Sequence, residues 1–289
     1  MKTITAQRSG KLISFLREEL SLSARATQKL MKSKAVTVNG EVATAYQPIL
    51  CNDVITLHEL EQDHNILPEN GVLRILYEDD KLLFIDKPSG ITMHPTKARI
   101  EGTVANYVAG YYLQQHIQAG IHMVNRLDRD TFGVVIVAKD AITHAKIMQQ
   151  MQEHQVVKTY RAWVYGHPKV KEGTIALPIA LVEGNPILRR IHSSGQAAQT
   201  DFKVLRETEK GSLISLLAIT GRTHQLRLHC VALGCPIVGD EQYGTPESIA
   251  FSRSRGRTTQ QLQSYSLALV HPFTGKEMAV LSQQELREI

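Results

Sequence analysis

Four consecutive β-branched residues, Val134, Val135, Ile136 and Val137, constrain this chain more than any other feature. They sit in the run NRLDRDTFGVVIVAKD (125–140), directly after the turn-forming residues Asp130, Thr131 and Gly133. A short β-branched run bounded by turn residues reads as a loop feeding a buried strand. That loop carries Arg126 and Asp128 to the mouth of a sheet. A carboxylate that must meet a substrate is well served there, because the strand holds the loop rigidly. Taken alone, an Arg-x-Asp triplet is equally consistent with a surface ion pair contributing roughly 0–1 kcal/mol.

Other segments narrow the choice. YEDDKLLFIDKPSGITMHP (77–95) reads as an acidic turn, a buried strand from Leu82 to Ile85 and a loop at Lys87-Pro88-Ser89-Gly90. KTYRAWVYG (158–166), TDFKVL (200–205) and SLISLLAI (212–219) have the look of meander strands. In LLAITGRTHQLRLHCVALGCPIVGDEQYG (216–244) a strand runs into Thr220-Gly221-Arg222, and residues 225–229 alternate as a second strand. No regular strand-helix alternation is visible, so the expected class is α+β, with a mixed, largely antiparallel sheet.

A length of 289 residues points to two domains. ELEQDHNILPENG is polar, contains Pro68 and ends in Asn-Gly, which places a linker over 59–71 between a small domain at 1–58 and a larger one at 72–289. In the small domain, Leu12, Ile13, Phe15 and Leu16 repeat at helical spacing, and Ser23 is placed to cap a second helix running to about Lys34. A hairpin around Asn39-Gly40 and a short strand over 53–57 follow, giving a small α/β unit. Arg25, Lys29, Lys32 and Lys34 make a basic face on or just after the second helix. Together with a net charge of +5 and a pI near 9.0, this favours a polyanionic partner. Cys51, Cys230 and Cys235 cannot all pair and lack zinc-like spacing, so a reducing compartment is expected, with Cys230 and Cys235 packed as small hydrophobes. The polar start carries no apolar signal core, and no later run is long enough to span a bilayer, which makes the cytoplasm the default expectation. His122, His224, His229 and His271 have no acidic or thiol partner at ligand spacing, so no metal is expected. Arg253, Arg255 and Arg257 read as a flexible basic loop able to touch phosphates.

The ordered set KPSG, NRLDRDTFG with its trailing AK, KTY, TGRTHQLRLH and GDEQYG resembles the RluA family of RNA pseudouridine synthases over roughly Leu73 to Pro272. Two positions depart from that pattern: Asn125 stands where the family has His, and Phe132 where it has Ser. KAVTVNGEV (34–42) and the basic helix before it resemble the small RNA-binding domain of the fourth small-subunit ribosomal protein. The resemblance implies an isomerase acting as a monomer on structured RNA, ribosomal RNA ahead of transfer RNA with both open, and with no cofactor. It gives Asp128 the role of the reacting carboxylate, Arg222 that of its guanidinium partner, and Tyr160 that of the ring that stacks on the base and removes the carbon 5 proton. Arg126 fills the place left by the flipped uridine, and Lys87 lies in a turn beside the RNA.

The chemistry fits these residue types. The bond between uracil nitrogen and sugar breaks, the base rotates and rejoins through carbon 5, with no redox change. A carboxylate at the glycosidic carbon can attack it, stabilise a cationic sugar or take a proton from the neighbouring carbon. Extracting a uridine from its stack costs a few kcal/mol. Two other functions match parts of the sequence: a noncatalytic RNA-binding or ribosome-assembly factor, and a glycosylase using the same carboxylate.

Overall fold

The computed structural model describes residues 2–20, 24–32, 34–57, 66–96 and 99–289. The front part holds β1 (Lys2–Thr5), β2 (Gly10–Lys11), α1 (Leu12–Glu19), α2 (Ala24–Lys32), β3 (Val36–Val38), β4 (Glu41–Val42), β5 (Pro48–Ile49) and β6 (Val54–Leu57). Four of its strands form a sheet in the order β1-β6-β3-β4. The expected hairpin is present: Asn39 and Gly40 both take positive φ, 51° and 90°, as the tight turn between β3 and β4 requires. Leu12, Phe15 and Leu16 of α1 bury against Val36, Val38, Ile55 and Leu57, with Ile142 and Ala145 from the larger part packed against this cluster. At roughly 1.5–3 kcal/mol per fully buried apolar side chain, these residues are what holds so small a unit together. The expected cap at Ser23 and most of the expected linker lie outside the described residues. What is described of that linker packs on its neighbour: Leu67 O accepts from Asn106 Nδ2 (2.9 Å) and the Glu69 N–H donates to Asn106 O (3.1 Å). A Cβ at Gly110 would meet Glu69 O at 2.1 Å, so this approach requires glycine.

The larger part contains β7 (Ile75–Glu78), β8 (Leu82–Lys87), α3 (Val104–Gln114), β9 (His122–Met123), β10 (Phe132–Ala138), α4 (Ala141–Gln152), β11 (Val157–Tyr165), β12 (Glu172–Ala176), β13 (Ile179–Leu181), β14 (Arg189–Ile191), β15 (Gln199–Glu207), β16 (Gly211–Ala218), α5 (Gln225–Ala232), α6 (Pro246–Ser254), β17 (Leu262–Val270) and β18 (Glu277–Leu281). Its main sheet runs β12-β15-β16-β11-β17-β10-β8-β7, with β18 on β17 and β9 on β10. Neighbouring strands pair antiparallel except β10 and β17, which are parallel. This is the α+β architecture expected from sequence.

The β-branched run is buried on both faces, as a continuous apolar stretch demands. Val135 and Val137 join Leu83, Ile85, Val108 and Leu216 on one side. Val134 and Ile136 join Leu82, Phe84, Ile147 and Leu267 on the other. Beside them Asp86 is buried, and its carboxylate accepts from the Ser282 hydroxyl (2.8 Å), the Gln283 N–H (2.8 Å) and Gln284 Nε2 (2.7 Å).

Two sequence readings change. Residues 225–232 form helix α5, not a strand. Arg253 belongs to α6 and bonds Glu241 Oε1 at 2.9 Å, while Arg257 Nη2 donates to Glu288 O (2.9 Å), so this basic segment is held in place rather than loose. Among the described residues no helix is long and apolar enough to cross a membrane.

Candidate active site

Asp128 sits in the loop that enters β10, and that loop is tied down from below. Arg129 O accepts from the Gly90 N–H (2.9 Å) and from Lys87 Nζ (2.8 Å). Ser89 Oγ donates to Asp130 O (2.9 Å). Gly133 ends the loop at φ 110°, with Ser264 O only 2.2 Å from where a Cβ would be. Asn125, one of the two departures, satisfies both ends of its amide on β10: Nδ2 donates to Val134 O (3.2 Å) and Oδ1 accepts from the Ile136 N–H (2.8 Å). Phe132, the other, is buried as the first residue of β10.

Lys87 therefore does not reach toward a ligand. Its side chain is buried, 1 % exposed as a residue, with the ammonium donating to Pro88 O (2.9 Å) and Arg129 O (2.8 Å). Burial lowers its pKa from 10.5 to about 7, against the opposing pull of Asp130 and Asp128. The expected RNA contact is replaced by a prop under the Asp128 loop.

The guanidinium facing Asp128 is that of Arg227, not Arg222. Arg227 Nη1 lies 3.4 Å from Asp128 Oδ2, the two side chains being 5 % and 28 % exposed. The same guanidinium grips Asp240 through Nε (2.7 Å) and Nη2 (2.8 Å), and Nη2 also donates to Gln242 Oε1 (2.7 Å). Burial opposes its charge, yet Asp240 and then Asp128 outweigh that and hold its pKa above the ordinary value. A planar fork bonded bidentately to one carboxylate aims its remaining N–H groups at a second. Arg222 is exposed, donates through Nε to Ala197 O (3.1 Å) and lines an open cleft of about 550 Å³ with Ile179, Arg189 and Gln196. The correction follows from α5: the helix places His224 and Arg227, three residues apart, on one side. His224 Nε2 is 3.9 Å from Asp128 Oδ2, and its Nδ1 is 2.7 Å from the Tyr243 hydroxyl.

Sequence reasoning did not select His224, Arg227, Asp240 or Tyr243 for the site. GDEQYG was expected only to shape a nearby loop, whereas its Asp240 anchors Arg227 and its Tyr243 meets His224. The usable signal was the second arginine of TGRTHQLRLH, set three residues beyond His224.

Tyr160 lies in β11, buried, close enough to Asp128 for the carboxylate's charge to act on it. Burial pushes its phenol up to about 12, with a contact to Ser264 working the other way. Arg126 is exposed at the front of the loop, near His94, whose pKa is lowered by burial and by that arginine. In the front part, Lys32 and Lys34 are exposed, and the side chains of Arg25 and Lys29 lie outside what is described.

Residues 81–232, which contain Asp128, Tyr160 and Arg227, match the family model described as RNA pseudouridylate synthase. Over 267 residues, 91% of this chain, the sequence is 36% identical to the uncharacterized RNA pseudouridine synthase YhcT of Bacillus subtilis, 86% of which is covered. It is 32% identical to ribosomal large subunit pseudouridine synthase D of Nitrosomonas europaea, over 86% of this chain and 73% of that protein. The solved structure of human RNA pseudouridylate synthase domain containing 1 superposes with a TM-score of 0.60 at 26% identity, covering 75% of this chain and 86% of the human one. A sheet that holds one carboxylate loop rigidly, a buried arginine turned to that carboxylate, and relatives matched across most of the chain agree on one assignment: this chain belongs to the RNA pseudouridine synthases, the isomerases that convert uridine in RNA.

Proposed function

We propose that Asp128 is the carboxylate that meets the glycosidic carbon, that Arg227 takes the part expected of Arg222, and that the target is a uridine in structured ribosomal RNA. The observation that carries this reading is the pairing of a partly exposed carboxylate with a buried arginine locked to Asp240. Charge and aim are thereby set before substrate arrives, which is how preorganised electrostatics lowers a barrier. Tyr160 forms the wall on which the base stacks. With its pKa near 12, only about one molecule in 10⁴ to 10⁵ carries the phenolate at neutral pH, which favours stacking over proton removal. Arg126, exposed at the loop front, fills the gap left by the flipped base, and the basic face of the front part grips RNA phosphates as the ribosomal-protein-like domain it resembles. Ribosomal RNA is preferred to transfer RNA because relatives such as that of Nitrosomonas europaea are named for the large ribosomal subunit.

Asp128→Asn tests the central assignment. The amide keeps shape and loses charge, so tritium release from uridine labelled at carbon 5 is expected to fall by several orders of magnitude, roughly 10⁴-fold, while RNA affinity stays close to that of the wild type. Turnover near the wild-type rate overturns the assignment. Mapping pseudouridine in the RNA of cells with and without the protein identifies the uridine.

A further inference from the structure

A row of hydrogen-bonding groups runs from the hairpin β13–β14 to Asp128. The backbone N–H of Arg189, the first residue of β14, donates to the Tyr243 hydroxyl oxygen (2.9 Å). That hydroxyl lies 2.7 Å from His224 Nδ1, and His224 Nε2 faces Asp128 Oδ2 at 3.9 Å. A phenol has one proton to give. Its oxygen accepts from an amide, and when the Tyr243 proton is given to Nδ1, that nitrogen offers the lone pair. The proton of a neutral imidazole consequently sits on Nε2, the side of Asp128. His224 also adopts φ 58°, in the left-handed region that a residue with a Cβ rarely occupies. Tyr243 also packs edge-on against it, the ring centroids 5.5 Å apart.

Arg227 Nη1 (3.4 Å) and His224 Nε2 (3.9 Å) both lie toward the same oxygen, Oδ2. Among the described residues, no hydrogen bond is made to Oδ1. We propose that Tyr243 and His224 are positioning residues for Asp128: the Tyr243 hydroxyl fixes His224 in its Nε2-protonated tautomer, and that N–H joins Arg227 in holding Oδ2 so that Oδ1 faces the reacting sugar. This rests on the reading of Asp128 as the reacting carboxylate. The groups facing His224 agree with a neutral ring. Burial is the largest influence and opposes protonation, Arg227 and Arg189 also oppose it, and Asp128 and Asp240 favour it, leaving the pKa below the usual histidine value. Because Arg189 belongs to the cleft wall that also holds Arg222, the relay links that wall to the carboxylate.

Long-range ¹H–¹⁵N correlation on the histidine-labelled full chain reads the tautomer without reference to activity. The expected result is a His224 ring protonated at Nε2 in the wild type and a mixture of tautomers in Tyr243→Phe. Kinetics then separates two substitutions at 224. Gln places an N–H close to where Nε2 was, whereas Asn reaches only the Nδ1 position. His224→Asn is expected to lower kcat by about 10²-fold with KM for RNA little changed, and His224→Gln to recover about tenfold of that loss. Asn tolerates left-handed backbone better than Gln, so this order cannot arise from relieved strain. A wild-type ring protonated at Nδ1, or Tyr243→Phe and His224→Asn turning over at the wild-type rate while Asp128→Asn is inactive, overturns the relay and leaves the Asp128 reading standing. Turnover by Asp128→Asn overturns both.

Discussion

At positions 222 and 227 the same side chain meets opposite surroundings, and their substitutions separate accordingly. Arg227→Lys cannot reproduce the fork on Asp240 and still reach Asp128 and Gln242. Single-turnover rates are expected to fall by about 10²-fold, with circular dichroism unchanged. Arg222→Lys, at the exposed cleft wall, changes KM for RNA rather than the rate at saturation; an equal loss of kcat in both variants refutes the assignment of Arg227. Lys87 supports a pH prediction. Its pKa is 10.5 in the unfolded chain and about 7 when folded, so between these values the unfolded chain binds the extra proton and stability rises with pH. The contribution is fully present above about 10.5 and is lost as pH falls toward about 7. In Lys87→Met this dependence disappears. The difference in unfolding free energy between wild type and variant should therefore change by about 1 kcal/mol per pH unit in that window, as urea titrations at stepped pH can measure. A constant difference across the window refutes it.

Among the elements, β10 was legible and α5 was not. Four β-branched residues after a glycine leave little but a buried strand, and the structure shows one sealed on both faces. Gln225 to Cys230 alternates polar and apolar without exception, which is the pattern of a strand. The helix uses all its sides instead: Leu226 and Cys230 enter the main core, Leu228 packs with Ile179 and Ala198, Arg227 turns to the site, and His229 meets the Thr200 hydroxyl (2.8 Å) and Leu177 O (3.1 Å). A helix of eight residues whose first six are all buried has no helical period to read. The resemblance had given the guanidinium to Arg222, and it is the helix that brings Arg227 to Asp128 instead. The junction of loop and β10 offers a test at this scale. Gly133→Ala places a methyl 2.2 Å from Ser264 O at φ 110°, and should cost on the order of 1–3 kcal/mol, lowering Tm by several degrees and turnover with it. An unchanged melting curve refutes the constraint.

For the whole molecule, the division into a basic front part and a larger sheet-based part followed from one polar stretch and one hairpin signal. The apolar cluster of the front part is distinct from the main one, and Ile142 and Ala145 of α4 pack against it. The contacts of residues 67–71 with α3 are partly backbone groups that every residue type carries, at Leu67 O and the Glu69 N–H, and partly the pair Asn70–Gln114 (2.7 Å), so little in the sequence announces them. Replacing Arg25, Lys29 and Lys32 together by Ala should weaken RNA binding and flatten its salt dependence, each lost phosphate contact lowering the slope by about 0.7–0.9. Turnover of a short substrate at saturation should persist, and an unchanged slope assigns that helix to another task. The order of synthesis gives the long-range pairings a further meaning. β10 is closed on one side by β17, whose Ser264 receives Gly133, and Asp86, next to Lys87, has its bonds completed by residues 282–284. A chain that ends at residue 250 already contains Asp128, Tyr160 and Arg227 and the ties of the carboxylate loop to Lys87, Ser89 and Gly90, yet lacks the strand that receives Gly133 and the residues that complete the bonds of Asp86. The last strands of the chain thus complete the support of a loop whose functional residues and nearest ties all lie in earlier segments.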